Sequence, residues 1–174
     1  MSDSLLVYII GFMGSGKSTA GKKLAAALGW SFIDLDKRIE EHTGKSVPDL
    51  FSLFGEEYFR NIEAEILRSL KDKKNTVVST GGGTPCYGYN MDYMLKTGLV
   101  IYLKLTPPQL YSRLSGSKTV RPLIKDLNAS QLIGFIEEKL AVREECYRKA
   151  DITVIGVDLD VNSLKSLVIE KLNA

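Results

Sequence analysis

The sequence predicts an α/β domain built on a five-stranded parallel sheet flanked by helices. Short runs of apolar and β-branched residues alternate with longer segments of helical periodicity. The first run, LLVYII at residues 5–10, is apolar throughout, which is typical of a strand buried on both faces. Because 174 residues suit one domain and no internal repeat is present, we expect residues 1–174 to form a single domain.

Each expected element has a boundary signal. The strands are expected at residues 5–10, 31–35, 76–79, 99–105 and 152–155. Gly11 and the triple glycine at 81–83 end two of these runs, because glycine weakens a continued strand. Helices are expected at 17–28, where Gly29 is the stop signal, and at 163–172, where four apolar residues recur at helical spacing.

Two segments do not fit the simple alternation. The first covers residues 35–60 and is expected to contain short helices broken by Gly44, Pro48 and Gly55. The second, residues 115–127, is polar and has no apolar periodicity. Because α/β proteins place such insertions near the carboxyl ends of their strands, we expect a substrate-binding insertion and a mobile lid, respectively. The predicted core then consists of residues 1–34, 61–114 and 128–174.

The charge balance excludes several classes of function. Lys and Arg total 23 and Asp and Glu total 21, so the formal net charge is +2. A value so close to zero excludes a general nucleic-acid coat or a polybasic membrane binder. It does not exclude a local cationic pocket. We therefore expect a small-molecule substrate and no nucleic-acid or membrane partner.

The cysteines and the N-terminal residues indicate a cytoplasmic protein. Cys86 and Cys146 lie far apart, and with only one histidine they form neither a disulfide framework nor a Cys/His zinc site. Residues 1–4 carry no basic residue, and the apolar run at 5–10 is too short for a signal peptide or a membrane span. We expect a cytoplasmic monomer.

A phosphate-binding loop follows the first strand directly. Residues 11–19, GFMGSGKST, match the pattern G-x-x-x-x-G-K-[ST] and precede a helix. Backbone N–H groups of such a loop bind phosphate oxygens, Lys17 reaches the β- and γ-phosphates, and Ser18 ligates Mg²⁺. The third glycine of the dinucleotide motif is missing, so a mononucleotide triphosphate is expected. The predicted contacts are Gly14, Ser15, Gly16, Lys17, Ser18 and Thr19.

Polar and glycine residues after the next two strands suggest an acceptor site. Asp34 and Asp36 are expected to point to the same side of an extended segment. One carboxylate would assist Mg²⁺ and the other would accept or orient a hydroxyl proton, unless Asp36 is an N-cap. Three glycines at 81–83 cost conformational entropy, and close approach of a small ligand to bare backbone explains them better than a tight turn.

Together these blocks resemble the shikimate kinase family across nearly the whole chain. The residues that carry the resemblance are GFMGSGKST at 11–19, FIDLD at 32–36, LFSLFGEEYFRNIEAEIL at 50–67, VVSTGGGT at 77–84, VRPL at 120–123 and REECYRKAD at 143–151. The resemblance implies a P-loop kinase fold. It also implies that ATP and Mg²⁺ are required and that the γ-phosphoryl group is transferred to the 3-hydroxyl group of shikimate.

The resemblance also implies roles for individual residues. Asp36 would bind a shikimate hydroxyl and act as the general base. Arg60 and Arg143 would pair with the shikimate carboxylate, for which the planar guanidinium is suited. Arg121 would lie on the lid and reach the transferring phosphoryl group, while Arg113 would contact adenine. Gly81, Gly82 and Gly83 would also contact the substrate. Lys17 would be catalytic together with Asp36 and Arg121. Ser18 and Asp34 would bind the metal ion.

Other functions remain open from the residues alone. A kinase for another small polyol acid, such as a gluconate kinase, would share the phosphate loop. Nucleoside monophosphate kinases are disfavoured because the segment at 36–60 is short for a base-reading domain. A nucleotide-dependent switch would need no acceptor pocket, which would leave the arginines and the two aspartates unexplained.

Overall fold

The computed structural model describes residues 5–174, so the four N-terminal residues of the predicted core lie outside the described residues. The strands are β1 (Leu6–Ile10), β2 (Ser31–Asp34), β3 (Thr76–Ser79), β4 (Gly98–Lys104) and β5 (Ile152–Ile155). The helices are α1 (Lys17–Leu28), α2 (Leu35–Thr43), α3 (Val47–Ser69), α4 (Asn90–Thr97), α5 (Pro107–Ser115), α6 (Ala129–Tyr147) and α7 (Val161–Asn173). Five strands and the first helix therefore lie at or within one residue of their expected positions.

The strands form one sheet in the order β2-β3-β1-β4-β5, and every neighbouring pair is parallel. Strand β1 is central, and Val7 pairs in register with Val77 on one side and Leu99 on the other. All five residues of β1 are buried, which explains why its sequence is apolar without alternation. The predicted parallel sheet is confirmed.

Alternate residues of β1 face two separate apolar layers. Tyr8 and Ile10 pack in a cluster with residues of α2, α3 and α4, whereas Val7 and Ile9 pack with residues of α1 and α7. A third cluster joins α5 and α6 to Phe12 of the phosphate loop. The sheet is thus covered on both faces. The loop after β1 packs through Phe12 against a separate apolar cluster formed by α5 and α6.

The carboxyl end of β2 differs from its prediction. Strand β2 ends at Asp34, and α2 begins at the next residue, so Asp36 lies in the first turn of a helix. The Asp34 side chain accepts a hydrogen bond from the backbone N–H of Lys37 at 3.2 Å. This N-cap stabilises the helix start, so the expectation of an extended segment was wrong. The cap is Asp34, not Asp36.

The insertion is more regular than expected. Gly44 ends α2, as predicted, and has the left-handed conformation. Pro48 does not break a helix but occupies the first turn of α3, where its missing N–H costs nothing. Gly55 interrupts α3 with a φ of 84°, and the helix then continues to Ser69. The predicted boundary at residue 60 therefore falls within a helix.

The predicted lid lies between α5 and α6. Residues 116–128 contain neither helix nor strand, in agreement with their polar sequence. Within residues 5–174, no helix has both the length and the apolar character that a membrane crossing requires.

Candidate active site

A cavity of about 640 Å³ lies at the carboxyl ends of β1, β2 and β3. The phosphate loop and the start of α1 contribute Gly14, Gly16, Lys17, Ser18 and Thr19 to its lining. The opposite side is formed by Asp34, Asp36, Gly81 and Gly82, and the remaining side by Arg113, Thr119 and Arg121. The fold thus brings together residues from three distant segments. We call the cavity that they line the active-site cavity.

The phosphate loop is held by backbone geometry and by Lys17. Gly14 and Gly16 have φ values of 79° and 91°, which favour glycine over any other residue. The Lys17 ammonium donates to the carbonyl oxygens of Gly11 and Phe12 at 2.9 and 3.0 Å. Burial lowers the pKa of Lys17 to about 8, although the nearby Asp36 carboxylate opposes this shift.

Ser18 and Asp34 form a hydroxyl–carboxylate pair beside the phosphate loop. The Ser18 hydroxyl donates to Oδ2 of Asp34 at 2.7 Å, while the other oxygen of Asp34 caps α2. Hydroxyl and carboxylate oxygens are hard donors that suit Mg²⁺. Within residues 5–174, no cluster of three or more acidic, histidine or cysteine side chains could hold a metal. The donor set fits an ion that takes most of its ligands from phosphate and water.

Asp36 projects from α2 into the same cavity. Burial raises the pKa of this carboxyl to about 6, and the negative charges of Glu63 and Asp34 contribute in the same direction. The Lys17 ammonium opposes the shift without cancelling it. Asp36 is therefore a half-buried carboxylate whose pKa of about 6 suits a general base at neutral pH.

The triple glycine leaves room for three side chains. A Cβ atom at Gly83 would collide with the guanidinium of Arg60, and one at Gly82 would lie 3.3 Å from Nη1 of Arg143. At Gly81, the added atom would lie 3.2 Å from Oδ1 of Asp36. The sequence predicted that a small ligand approaches these glycines closely; the structure shows a close approach by side chains of the same chain, and the approach of a ligand stays a prediction.

Arg60 and Arg143 lie next to the active-site cavity rather than in its lining. Their guanidinium groups lie where added Cβ atoms of Gly83 and Gly82 would point, and Gly83 also stays outside the lining. The guanidinium carbon of Arg143 lies 5.7 Å from the ring centroid of Phe12, which is a cation–π contact with the phosphate loop. The structure thus places two arginines beside the glycines that border the cavity.

Glu63 is a site residue that the sequence analysis did not identify. Its side chain is fully buried, accepts from Nη1 of Arg60 at 2.8 Å and accepts from the Thr84 hydroxyl at 2.7 Å. Burial alone would lower the pKa of Arg60, but the ion pairs with Glu63 and Glu56 outweigh burial and raise it. The signal was present in the spacing, because an acid three residues after Arg60 shares its helix face.

The lid contributes a second cationic side chain. Arg121 lines the cavity and donates to the Ser117 hydroxyl at 3.3 Å, and burial lowers the pKa of its guanidinium. Arg113, on α5, donates through Nε to the Gly14 carbonyl oxygen at 2.6 Å. Both predicted arginines therefore face the phosphate loop.

Ser15 differs from the other predicted phosphate contacts because it does not line the active-site cavity. It is 8% exposed, and its Oγ atom is buried without a hydrogen-bond partner. It lines a second cavity of about 290 Å³, which shares Gly16, Thr19 and Arg113 with the first. Residues of the loop after β5, which the sequence analysis did not single out, complete this cavity: Gly156, Val157, Asp158 and Leu159.

Comparisons with known proteins show which family the whole chain resembles. A family model described as shikimate kinase matches residues 13–173. The chain is 43% identical over 147 residues to a shikimate kinase of Parabacteroides distasonis, covering 84% of this chain and 85% of the relative. It also matches the crystal structure of shikimate kinase from Bacteroides thetaiotaomicron with a TM-score of 0.90 and 35% identity, covering 98% and 99% of the two chains. An Acinetobacter baumannii shikimate kinase in complex with shikimate matches with a TM-score of 0.83 and 31% identity, covering 98% and 93%.

Proposed function

The chain belongs to the shikimate kinase family, and on that premise we propose how its residues transfer the γ-phosphoryl group of ATP to the 3-hydroxyl of shikimate. The product is shikimate 3-phosphate, an intermediate of chorismate and aromatic amino-acid biosynthesis. One observation carries the proposal: Lys17, Asp36 and Arg121 line a single cavity although they come from the phosphate loop, the insertion and the lid.

ATP binds along the phosphate loop. The N–H groups at the start of α1 and the Lys17 ammonium bind the phosphates, and Gly14, Gly16 and Thr19 complete their surroundings. Adenine occupies the second cavity, beside Arg113 and the loop after β5. Ser15 also lines that cavity, next to Gly16 at the start of α1.

An ATP-dependent kinase implies a divalent metal ion, and we propose Mg²⁺. Ser18 and Asp34 would hold it, with Asp34 acting directly or through water. The ion, when bound, supplies positive charge to the phosphate oxygens. Since Ser18 and Asp34 already contact each other, the two oxygen donors are positioned on the same side of the cavity.

The acceptor lies between Asp36 and the two arginines. Arg60 and Arg143 bind the shikimate carboxylate with charge-assisted hydrogen bonds, the backbone of Gly81 and Gly82 borders the ring, and Gly83 leaves room for the Arg60 guanidinium. Asp36 accepts the proton of the 3-hydroxyl group while the oxygen of that hydroxyl group forms the new bond to the γ-phosphorus. The bond between that phosphorus and the β–γ bridging oxygen breaks, and ADP leaves with the electron pair.

The lid completes the site when it closes. Residues 115–127 carry Arg121 toward the γ-phosphate, where its charge stabilises the transition state. Closure also excludes water, which would otherwise accept the phosphoryl group in place of shikimate. Residues 35–60 form the acceptor-binding insertion on the other side of the cavity.

An assay of ADP release with several acceptors tests the proposed reaction. With Mg-ATP, shikimate should give rapid turnover, whereas gluconate, nucleoside monophosphates and the absence of an acceptor should each give less than about a hundredth of it. Turnover with gluconate or a nucleoside monophosphate would replace the proposed acceptor. Nucleotide binding without any turnover would identify a nucleotide-dependent switch. The monomeric state and the cytoplasmic location stay predictions, and sedimentation of the purified chain tests the first.

A further inference from the structure

Tyr147 places a buried hydroxyl against the triple glycine. It is the last residue of α6, its side chain is fully buried, and its ring lies 4.9 Å from the ring of Tyr102. Its hydroxyl donates to the carbonyl oxygen of Gly82 at 2.6 Å. Burial raises the pKa of this hydroxyl, against the opposing charge of Arg143, so it remains a donor throughout the neutral range. The mechanism described above does not use this residue.

Tyr147 and Arg143 act on the same glycine. They are four residues apart on α6 and therefore share a helix face. A Cβ atom at Gly82 would lie 3.3 Å from Nη1 of Arg143 and 3.3 Å from the backbone nitrogen of Met13. The Gly82 peptide is thus confined between α6 and the phosphate loop, with the Tyr147 hydroxyl fixing its carbonyl group.

We propose that Tyr147 is a positioning residue for the acid substrate. Its hydroxyl holds the Gly82 peptide in one orientation, and thereby keeps the Gly82 backbone and the Arg143 guanidinium at a constant separation. This inference rests on the proposed function, because it assigns the acceptor carboxylate to Arg143. Tyr147 itself touches no substrate in this arrangement and acts only through Gly82 and Arg143.

Loss of the hydroxyl would have a local consequence. Tyr147→Phe keeps the ring and its packing on Tyr102, but it leaves the Gly82 carbonyl without this hydrogen bond. A carbonyl that loses its buried partner moves toward another donor, since an unpaired polar group is costly. The glycine loop would then shift relative to Arg143. The phosphate loop is held by the hydrogen bonds of Lys17 and Arg113 to its carbonyl oxygens, so ATP binding should not change.

Tyr102 provides a matched control. It is the other member of the aromatic pair and is also buried, but its hydroxyl donates to Oε2 of Glu144 at 2.7 Å. Glu144 is in turn paired with Lys104 at 2.7 Å. Removing this hydroxyl perturbs the same aromatic pair and the same helix without touching Gly82. A general weakening of α6 would therefore affect both variants alike.

Steady-state kinetics of Tyr147→Phe and Tyr102→Phe test the assignment. In Tyr147→Phe we expect the KM for shikimate to rise about tenfold, equivalent to about 1.4 kcal/mol, with kcat within about threefold of the parent. The KM for ATP should be unchanged. Tyr102→Phe should retain the parent KM for both substrates. In thermal unfolding, ATP should raise the Tm of Tyr147→Phe as it does the parent, while the effect of shikimate should be reduced.

Three results would overturn the assignment. One is a parent-like KM for shikimate in Tyr147→Phe. Another is an equal rise in both variants, which would indicate a packing role for the aromatic pair. The third is loss of the ATP-induced rise in Tm, which would make Tyr147 a residue of the fold as a whole. Failure of the proposed function is distinct from these, because the parent chain would then not phosphorylate shikimate at all.

Discussion

Nη1 of Arg60 donates to Oε1 of Glu63 at 2.8 Å, and both side chains are almost completely removed from solvent. The second oxygen of Glu63 accepts from the Thr84 hydroxyl, just after the triple glycine. The carboxylate therefore balances the charge of Arg60 and ties α3 to the chain that follows β3. An arginine held in this way presents its remaining N–H groups in a fixed direction.

Glu63→Gln should destabilise the fold. The amide offers one oxygen for two donors, and its NH₂ group would face the N–H group of Arg60 or the hydroxyl of Thr84. We expect the free energy of unfolding to fall by about 2–4 kcal/mol, as measured by urea denaturation. The control is Glu56→Gln, which breaks the longer, exposed ion pair of Arg60 and should cost less than about 1 kcal/mol. Equal losses in the two variants would contradict the role of Glu63.

Asp36→Asn should abolish most turnover and one limb of the pH profile. In the parent, kcat/KM for shikimate should fall tenfold per pH unit below about pH 6, because the protonated carboxyl cannot accept the hydroxyl proton. We expect kcat of the variant to fall by about 10²-fold or more, with little change in ATP affinity. The exposed acid Asp49, in the first turn of α3, provides the control variant Asp49→Asn. Near-parent turnover would remove Asp36 from the mechanism.

The same substitution should stabilise the protein at neutral pH. The folded-state pKa of Asp36 is raised from 3.8 to about 6, so its contribution to stability is complete below about pH 4 and is lost as the pH rises through 6. An asparagine has no such dependence. At pH 7.5 we expect Asp36→Asn to raise the free energy of unfolding by about 2–3 kcal/mol, and at pH 4 to change it little. A pH-independent difference in denaturation curves would argue against the buried charge as the cause.

The lid should respond to substrates and depend on Arg121. Without ligands, amide hydrogens of residues 116–127 should exchange faster than those of the sheet, and ATP with shikimate should slow them. Arg121→Ala should lower kcat by about 10²-fold or more. Lys118→Ala removes an exposed lid cation outside the cavity lining, and it should leave kcat unchanged. Lid amides as protected as the sheet in the free protein would exclude the lid.

The five-stranded parallel sheet and the first helix were predicted from the residues because their signals are local, whereas the P-loop kinase fold was implied by the family resemblance. The apolar run of β1 reports burial on both faces, and Gly29 ends α1 in the left-handed conformation as expected. Such features depend on neighbours along the chain. The placement of Lys17, Asp36 and Arg121 around one cavity required the fold, and the motifs gave no distances between them.

The errors in prediction arose where a capping interaction decided the backbone. Asp34 caps a helix that the spacing of the two aspartates could not reveal, and Pro48 lies in the first turn of α3 instead of breaking a helix. Glu63 escaped notice because an acid on an α-helix is usually exposed, and its burial depends on Arg60 and Thr84 together. The second cavity depends on a loop after β5 whose sequence has no motif.

The crowding at the triple glycine limits how this site can change. An added Cβ at Gly82 would meet the backbone of Met13, which cannot rotate away, and one at Gly83 would collide with Arg60. Even alanine therefore disturbs the groups proposed to bind the acid substrate. An inhibitor seated against this wall of the cavity would leave the enzyme few routes to resistance there, because substitutions that reshape the wall also damage substrate binding.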